Sequence, residues 1–402
     1  MRALAMSRLT SELDDALEQR TARGLRRERR IVDSAQGARL RVDGREVLHF
    51  GSNDYLGLAG ERRVVAAAQE GAARYGVGAG ASHLISGHFA PHDAIERELA
   101  AWIAPCPSAR ALLFSTGYLA NLAIVTALVG RGDAVFADKL NHACLNDAAL
   151  LSRADFVRYA HADLKALEQR LASSGAKRKL IATDAVFSMD GDIAALGSLL
   201  ELAEKYDAWL VVDDAHGFGV LGEESAAGPG NSGRGTLAQL GLVSERIVHM
   251  ATLGKAAGVA GAFVAAHESV IETLIQTARS YIFTTAAPPM LSCALAASLA
   301  LIRDEPERRV HLFALIDRWR AAAAILPWRA LPSMTAIQPL ILGANADALN
   351  ISDALWKRDI WVPAIRPPTV PRGSARLRIT FSASHTIDDV DRLAEALADV
   401  AQ

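Results

Sequence analysis

Five short apolar runs, ALLF (111–114), AVFA (134–137), KLIAT (179–183), WLVV (209–212) and IVHMA (247–251), recur through the middle of the chain. Each is apolar throughout instead of alternating with polar residues, which marks a strand buried on both faces. Between them lie stretches with helical patterns, such as NLAIVTALV and LGSLLELAEKY. Parallel neighbours need a crossover of helical length, so this alternation predicts an α/β fold built on a mainly parallel sheet. In such sheets ligands bind beyond the carboxyl ends of the strands. The residues that follow each run therefore carry the functional information.

At 402 residues the chain has room for that sheet and a smaller companion domain. A hydrophobic fraction of 51% against 22% charged residues excludes wholesale disorder. The formal net charge of −2 supplies no global attraction to nucleic acid or to an anionic membrane. The opening MRALAMSRLTSELDD lacks the uninterrupted apolar core of a signal peptide. The longest apolar stretches, near 256–266 and 291–302, fall short of the roughly 20 residues of a membrane-spanning helix. Cys106, Cys144 and Cys293 are widely spaced and form no CxxC pair, as expected of a reduced, cytoplasmic chain.

Three domains are expected: an N-terminal helical arm over 1–46, a large domain over 47–290 and a small C-terminal domain over 291–402. In the arm, Leu9, Leu13, Ala16 and Leu17 recur at helical spacing and lead into the basic run ARGLRRERR, giving a helical region over about 9–30. That run is either a solvated helix face or a basic lip for an anionic substrate, with Arg26 as the contact. The Pro pair at 288–289 is expected to end the large domain. LPWRAL, AIQPLILG, IWVPAI and RLRITFS then suggest an α+β unit.

The strand ends supply the chemistry. After ALLF, STGYLAN offers Gly117 for a tight turn, and Tyr118 to Asn121 open a helix whose free amides suit a phosphate. After AVFA, DKLNHACLND places His142 in a polar turn, and DAVFSMDGD later offers the hydroxyl of Ser188. VVDDAHGFG puts Asp213, Asp214 and His216 directly after a strand, where a buried aspartate needs a cation or a set of donors. TLGKAAGVAG surrounds Lys255 with small residues that leave room for a bulky group and offer no carboxylate. A lysine so placed can be a buried amine of lowered pKa, ready for carbonyl chemistry. A phosphate site, an anionic partner, a carbonyl-reactive lysine and room for a ring together describe pyridoxal 5′-phosphate. On this reading Gly117, Tyr118 and Thr252 hold the phosphate, Lys255 bonds the aldehyde, and a strand-end aspartate keeps the pyridine nitrogen protonated.

SNDYLGL (52–58), STGYLAN (115–121), NHACLND (141–147), VFSMDGD (186–192), VDDAHGFGVLG (212–222), TLGKAAGVAG (252–261) and AIRPPTVP (364–371) together resemble the α-oxoamine synthases, in the same order and from about residue 10 to about 395. The resemblance implies the aspartate-aminotransferase-like fold (pyridoxal-phosphate fold type I), a mainly parallel sheet domain with a smaller C-terminal α+β domain. It also implies a homodimer with active sites at the subunit interface. Carried over by motif, Lys255 is the Schiff-base lysine, Asp213 the pyridinium partner, His216 a hydrogen-bond partner of the ring oxygen, and His142 the side chain stacked on the ring. Ser188 helps position the ring oxygen. Thr284 or Thr285 reaches the phosphate from the partner subunit, Arg366 pairs with the amino-acid carboxylate, and Thr369 lines the acyl site. Within the family, SNDYLGL, AIRPPTVP and the chain length best match the condensation of L-alanine with a pimeloyl thioester, carried on coenzyme A or acyl carrier protein. Glycine-using relatives, an aminotransferase and a silent protein on the same fold are the rival readings. Two features depart from the family pattern: Cys144 stands where serine is frequent, and EESAAGPGNSG (223–233) looks like an inserted surface loop.

Overall fold

The computed structural model describes residues 7–224 and 231–401, so residues 225–230 of the expected insertion lie outside the described residues. The first β structure is a hairpin of β1 (Arg39–Val42) and β2 (Arg45–His49). Asp43 and Gly44 turn it, both at positive φ, the geometry that an Asp-Gly pair supports in a two-residue hairpin loop.

The next seven strands form one sheet: β3 (Ala109–Phe114), β4 (Ala134–Asp138), β5 (Asp155–Tyr159), β6 (Lys179–Asp184), β7 (Ala208–Asp213), β8 (Ile247–Thr252) and β9 (Ala262–His267). Their spatial order is β3–β9–β8–β7–β6–β4–β5. All five apolar runs are among them. Strands β4 to β8 pair in parallel, whereas β9 runs antiparallel to both β3 and β8. Val211 and Val212 point to opposite faces of β7, and both are fully buried. Each such side chain contributes about 1.5–3 kcal/mol by leaving water. Leu180, Val211 and Val248 pack one face against the helices Gly117–Leu128 and Ala143–Ser152, while Ile181, Leu210 and Ile247 pack the other.

The N-terminal helix is shorter than the sequence pattern suggests. It spans Arg8–Ala22 and stops where Gly24 adopts φ +62°, with Leu25 N–H donating to the Arg20 carbonyl at 2.8 Å. Left-handed glycine just past a helix end is a common stop, and the basic run continues from it outside the helix. Leu9, Leu13 and Leu17 are 72%, 66% and 45% exposed, so among the described residues this apolar stripe is left largely uncovered.

The C-terminal strands are β10 (Arg329–Ala330), β11 (Ile337–Gly343), β12 (Ile360–Trp361), β13 (Ala364–Ile365) and β14 (Ala375–Thr380). Four of them form an antiparallel sheet in the order β10–β11–β14–β13, while β12 pairs in parallel with β2. The boundary expected at 46/47 therefore falls inside a strand that is hydrogen-bonded to the C-terminal part. Pro289, beside the boundary expected at 290/291, begins the helix Pro289–Asp304, whose Cys293 lies against Gly71 of the helix Arg62–Tyr75. A Cβ at Gly71 would come within 2.9 Å of Cys293, so glycine permits this close packing. No helix among the described residues is long and apolar enough to cross a membrane.

Candidate active site

Strand register assembles the site. Asp184 at the end of β6 pairs with Asp213 at the end of β7, Asp213 pairs with Met250 on β8, and Thr252 faces Ala262, itself opposite Phe114. The carboxyl ends of four strands thus lie in one row. Beyond that row is a cavity of about 170 Å³, into which His142, Asp213, His216 and Lys255 project. Gly117, Tyr118, Ser188 and Thr252 complete its wall together with Asp184 and Cys144.

The paired aspartates part company because successive side chains on a strand point to opposite faces. Asp214 turns away from the cavity and is fully buried. Its carboxylate accepts from Thr236 N–H (2.7 Å), Thr236 Oγ1 (2.6 Å) and His249 Nε2 (3.2 Å). Gly217 and Gly235 make room for it: a Cβ at either would fall 2.1 or 2.2 Å from its oxygens. Asp213 turns toward the cavity, where Oδ2 accepts from Asn121 Nδ2 at 2.7 Å and Oδ1 from Ala215 N–H at 3.1 Å.

Lys255 Nζ lies 2.9 Å from His216 Nε2, and His216 Nδ1 lies 2.7 Å from Tyr55 Oη. One tautomer satisfies both contacts: Lys255 donates to Nε2, Nδ1–H donates to Tyr55, and the Tyr55 hydroxyl donates to Asn53 Oδ1 at 3.2 Å. Arg378 Nη1 donates to the same Asn53 oxygen, also at 3.2 Å. Burial lowers the Lys255 pKa to about 8, with the Arg378 charge helping and the Asp213 charge opposing. Burial, reinforced by Lys255 and Arg378, also holds His216 well below the usual imidazole range, so it is neutral at pH 7. About a tenth of the amine is therefore neutral at pH 7, against well under 1% for an ordinary lysine, and the neutral amine is the state that attacks a carbonyl.

His142 precedes the helix Ala143–Ser152, and its backbone N–H donates to both Asp184 oxygens, at 3.1 and 3.3 Å. Burial and the neighbouring Asp213 charge raise the Asp184 pKa well above the carboxylate norm. His142 Nδ1 lies 2.9 Å from Cys144 Sγ, which also accepts from Asn121 Nδ2 at 3.1 Å. Burial and the Asp213 charge push the Cys144 thiol up to about 12. It is therefore an un-ionised group beneath the cavity, not a nucleophile.

The residues present suit pyridoxal phosphate on four counts. Thr116 caps the helix Gly117–Leu128, so that helix directs its free first-turn amides toward the cavity, as an anion site requires. A Cβ at Gly117 would lie 2.7 Å from Thr252 Cγ2, so only glycine permits this approach. Thr252 Oγ1 is buried with no hydrogen-bond partner among the described residues, a donor left over at the same end. Asp213 and Lys255 stand ready for a cationic ring nitrogen and an aldehyde. Tyr118 presents its hydroxyl to Asp147.

Five expected residues do not line the cavity in this chain. Arg366 donates to the backbone carbonyls of Gly24 and Arg26. Arg27, not Arg26, reaches Thr369, with Nη2 at 3.2 Å from Oγ1, while the Arg26 side chain is exposed. Thr284 and Thr285 lie on the segment after Tyr281, half-buried and exposed. Sequence reasoning missed Asn121, Tyr55, Asp184 and Arg378. Asn121 had a usable signal, since it follows Gly117 by four residues and so shares its helix face. Arg378 had none, because its partners Asn53 and the Ser188 carbonyl (2.6 Å) are more than a hundred residues away.

Comparison with known proteins shows the family. The family described as aminotransferase class I and II matches residues 45–397. An 8-amino-7-oxononanoate synthase of Aromatoleum aromaticum is 57% identical over 389 residues, covering 97% of this chain and 98% of that one. The crystal structure of an 8-amino-7-oxononanoate synthase from Francisella tularensis superposes with TM-score 0.74 at 31% identity, covering 88% and 97% of the two chains. A serine palmitoyltransferase from S. paucimobilis with a bound PLP–myriocin aldimine superposes with TM-score 0.89 at 26% identity, covering 98% of each. The chain belongs to the class I and II aminotransferase family and, within it, to the 8-amino-7-oxononanoate synthases.

Proposed function

We propose that this protein is a pyridoxal-phosphate-dependent acyltransferase of biotin biosynthesis. It condenses L-alanine with a pimeloyl thioester on coenzyme A or acyl carrier protein, giving 8-amino-7-oxononanoate, carbon dioxide and the free thiol. The observation that carries this reading is the lowered pKa of Lys255, about 8, in a cavity shared with Asp213. The 57% identity to a named relative supports the choice of substrates.

When bound, pyridoxal phosphate supplies an aldehyde and a ring that accepts the electron pair left on the amino-acid α-carbon. Asp213, held by Asn121 and the Ala215 amide, keeps a proton on the ring nitrogen. Gly117, Tyr118 and Thr252 hold the phosphate, joined by Thr284 or Thr285 of a second copy in a homodimer. Ser188 and His216 would hydrogen-bond the ring oxygen, and His142 would cover one ring face; all three line the cavity. Lys255 would hold the aldehyde at rest and, once freed, would take the α proton at Nζ and later return one. General-base catalysis of this kind typically contributes about 10²–10⁴ in rate.

Two arginines compete for the alanine carboxylate. Arg378 is buried, and its charge reaches Lys255 and His216. Arg366 sits with the 24–26 segment and Thr369, and with Arg26 and Arg27 it makes a cationic rim. Because its charge acts on Lys255, we assign the grip on a small substrate to Arg378, and contact with the acyl donor to Arg366 and Thr369.

The test is to supply the holoenzyme with L-alanine, glycine or serine and with acyl thioesters of several lengths, following carbon dioxide and free thiol. Alanine and the pimeloyl thioester should give the highest kcat/KM. Equal turnover with glycine and a short acyl thioester would overturn the substrate assignment.

A further inference from the structure

We propose that His83, His88 and His92 form a site for one borderline divalent transition-metal ion of the Zn²⁺, Co²⁺ or Ni²⁺ type, separate from the pyridoxal-phosphate cavity. One ring nitrogen of each lies within 4.8 Å of the others. His83 and His92 are buried, while His88 is exposed and gives an ion its way in. None of the three lines the cavity around Lys255.

The local fold holds these rings together. His83 opens a π-helical turn, His83–Gly87, and His92 lies in the first turn of the helix Ala90–Ile103. The turn is tight: a Cβ at Gly87 would fall 2.1 Å from the Ala81 carbonyl oxygen. His83 stacks on Tyr281, with centroids 5.1 Å apart and planes at 11°. His92 Nε2 donates to the Ala287 carbonyl at 2.9 Å. That bond fixes its tautomer and leaves Nδ1 as the lone-pair nitrogen, the same arrangement that backbone carbonyls impose on metal-bound histidines. Nδ1 now accepts from Phe89 N–H at 3.0 Å, a capping contact that coordination would displace.

The contact between His83 Nδ1 and His88 Nδ1, 2.9 Å, requires one proton shared between two nitrogens. A tetrahedral ion at about 2.0–2.1 Å from each would replace that proton and separate the nitrogens to about 3.3 Å. Small ring rotations suffice for that change. Three imidazoles and no thiolate select a borderline ion over Mg²⁺ or Ca²⁺. A bound ion would also stiffen the segment between Tyr281 and Ala287, to which two of its ligands are attached.

The test uses holoenzyme with pyridoxal phosphate bound, so that His142 and His216 are covered, and with any affinity tag removed. Chelator-washed protein is titrated with Zn²⁺ against a chromophoric indicator and with Co²⁺ by visible absorption. Wild type should take up one ion per chain, with a rise in Tm. Loss of hydrogen-bonded support alone costs about 10–100-fold in metal affinity, so loss of a ligand should cost at least about 100-fold. His88→Ala, which changes an exposed side chain, and His83→Asn should both show that loss, whereas His267→Asn should bind like wild type. Uptake below one ion per chain in wild type, or wild-type affinity in His88→Ala, would overturn the site.

Discussion

Lys255 Nζ rests 2.9 Å from His216 Nε2, across 39 residues of sequence, with Tyr55 closing the far side of the same imidazole at 2.7 Å. The amine thus has a neutral acceptor for one proton and no carboxylate within hydrogen-bond reach among the described residues. That arrangement accounts for a lysine that is easily deprotonated.

Lys255→Met should abolish covalent attachment of pyridoxal phosphate, read as loss of the mass increment after borohydride reduction. It should also remove a pH dependence. The folded pKa of about 8 lies below the ordinary 10.5, so the unfolded chain binds the extra proton between these values. Lys255 thus favours the fold above about pH 10.5, and that contribution is lost as pH falls toward 8. Apo Lys255→Met should be more stable than apo wild type at pH 7, by up to about 3 kcal/mol. Urea unfolding at pH 7 and pH 10 measures the difference; equal stabilities at both would refute the desolvated-amine account.

Asn121→Ala should leave the Asp213 carboxylate short of a partner. Hydrogen bonds to charged groups are worth about 1.5–3 kcal/mol, so cofactor affinity should fall by roughly 10–100-fold. Fluorescence titration of the apoenzyme reads this directly. If affinity and turnover both match wild type, Asn121 does not position the aspartate.

Arg378→Lys and Arg366→Lys separate the two candidate grips. Lysine cannot reproduce a bidentate contact, so Arg378→Lys should raise the alanine KM and lower kcat, leaving the thioester KM little changed. Arg366→Lys should act mainly on the thioester KM. The opposite pattern would return the carboxylate role to Arg366.

His161 bridges Asp138 Oδ1 (3.0 Å) and Asp192 Oδ2 (2.9 Å), and these hydrogen bonds raise its pKa to about 10. A raised folded pKa means the contribution is complete below about pH 6.5 and lost as pH rises through 10. The stability that His161 adds over His161→Gln should be full at pH 6 and should shrink between pH 7 and pH 10, whatever the other groups of the chain do over that window. Because the ring is half-buried, the effect should be of order 1–2 kcal/mol. Parallel melting profiles for the two proteins would count against the bridge.

Much of the architecture was legible because buried parallel strands announce themselves as continuous apolar runs. Edge strand β5, with Asp155 and Arg158, and strand β9, inside the 256–266 apolar stretch, were not. An edge strand need not be apolar throughout, and a strand inside a long apolar tract has no boundary that composition can mark. The helix over 9–30 was overextended because its pattern has no feature that reveals the left-handed turn at Gly24.

The order of residues alone determined where the strands end and therefore which side chains, among them Asp213, His216, Thr252 and Lys255, line the cavity beyond them. Only the tertiary structure decided which aspartate of the pair faces the cavity, and that Asn121, Tyr55 and Arg378 support it. Strand geometry sends Asp213 and Asp214 to opposite faces, and the choice between them depends on what packs there: Asn121 on one side, Thr236 and His249 on the other. Contacts such as Arg378 to Asn53, 325 residues apart, arise from burial and strand pairing across the whole fold. Local periodicity carries no record of them.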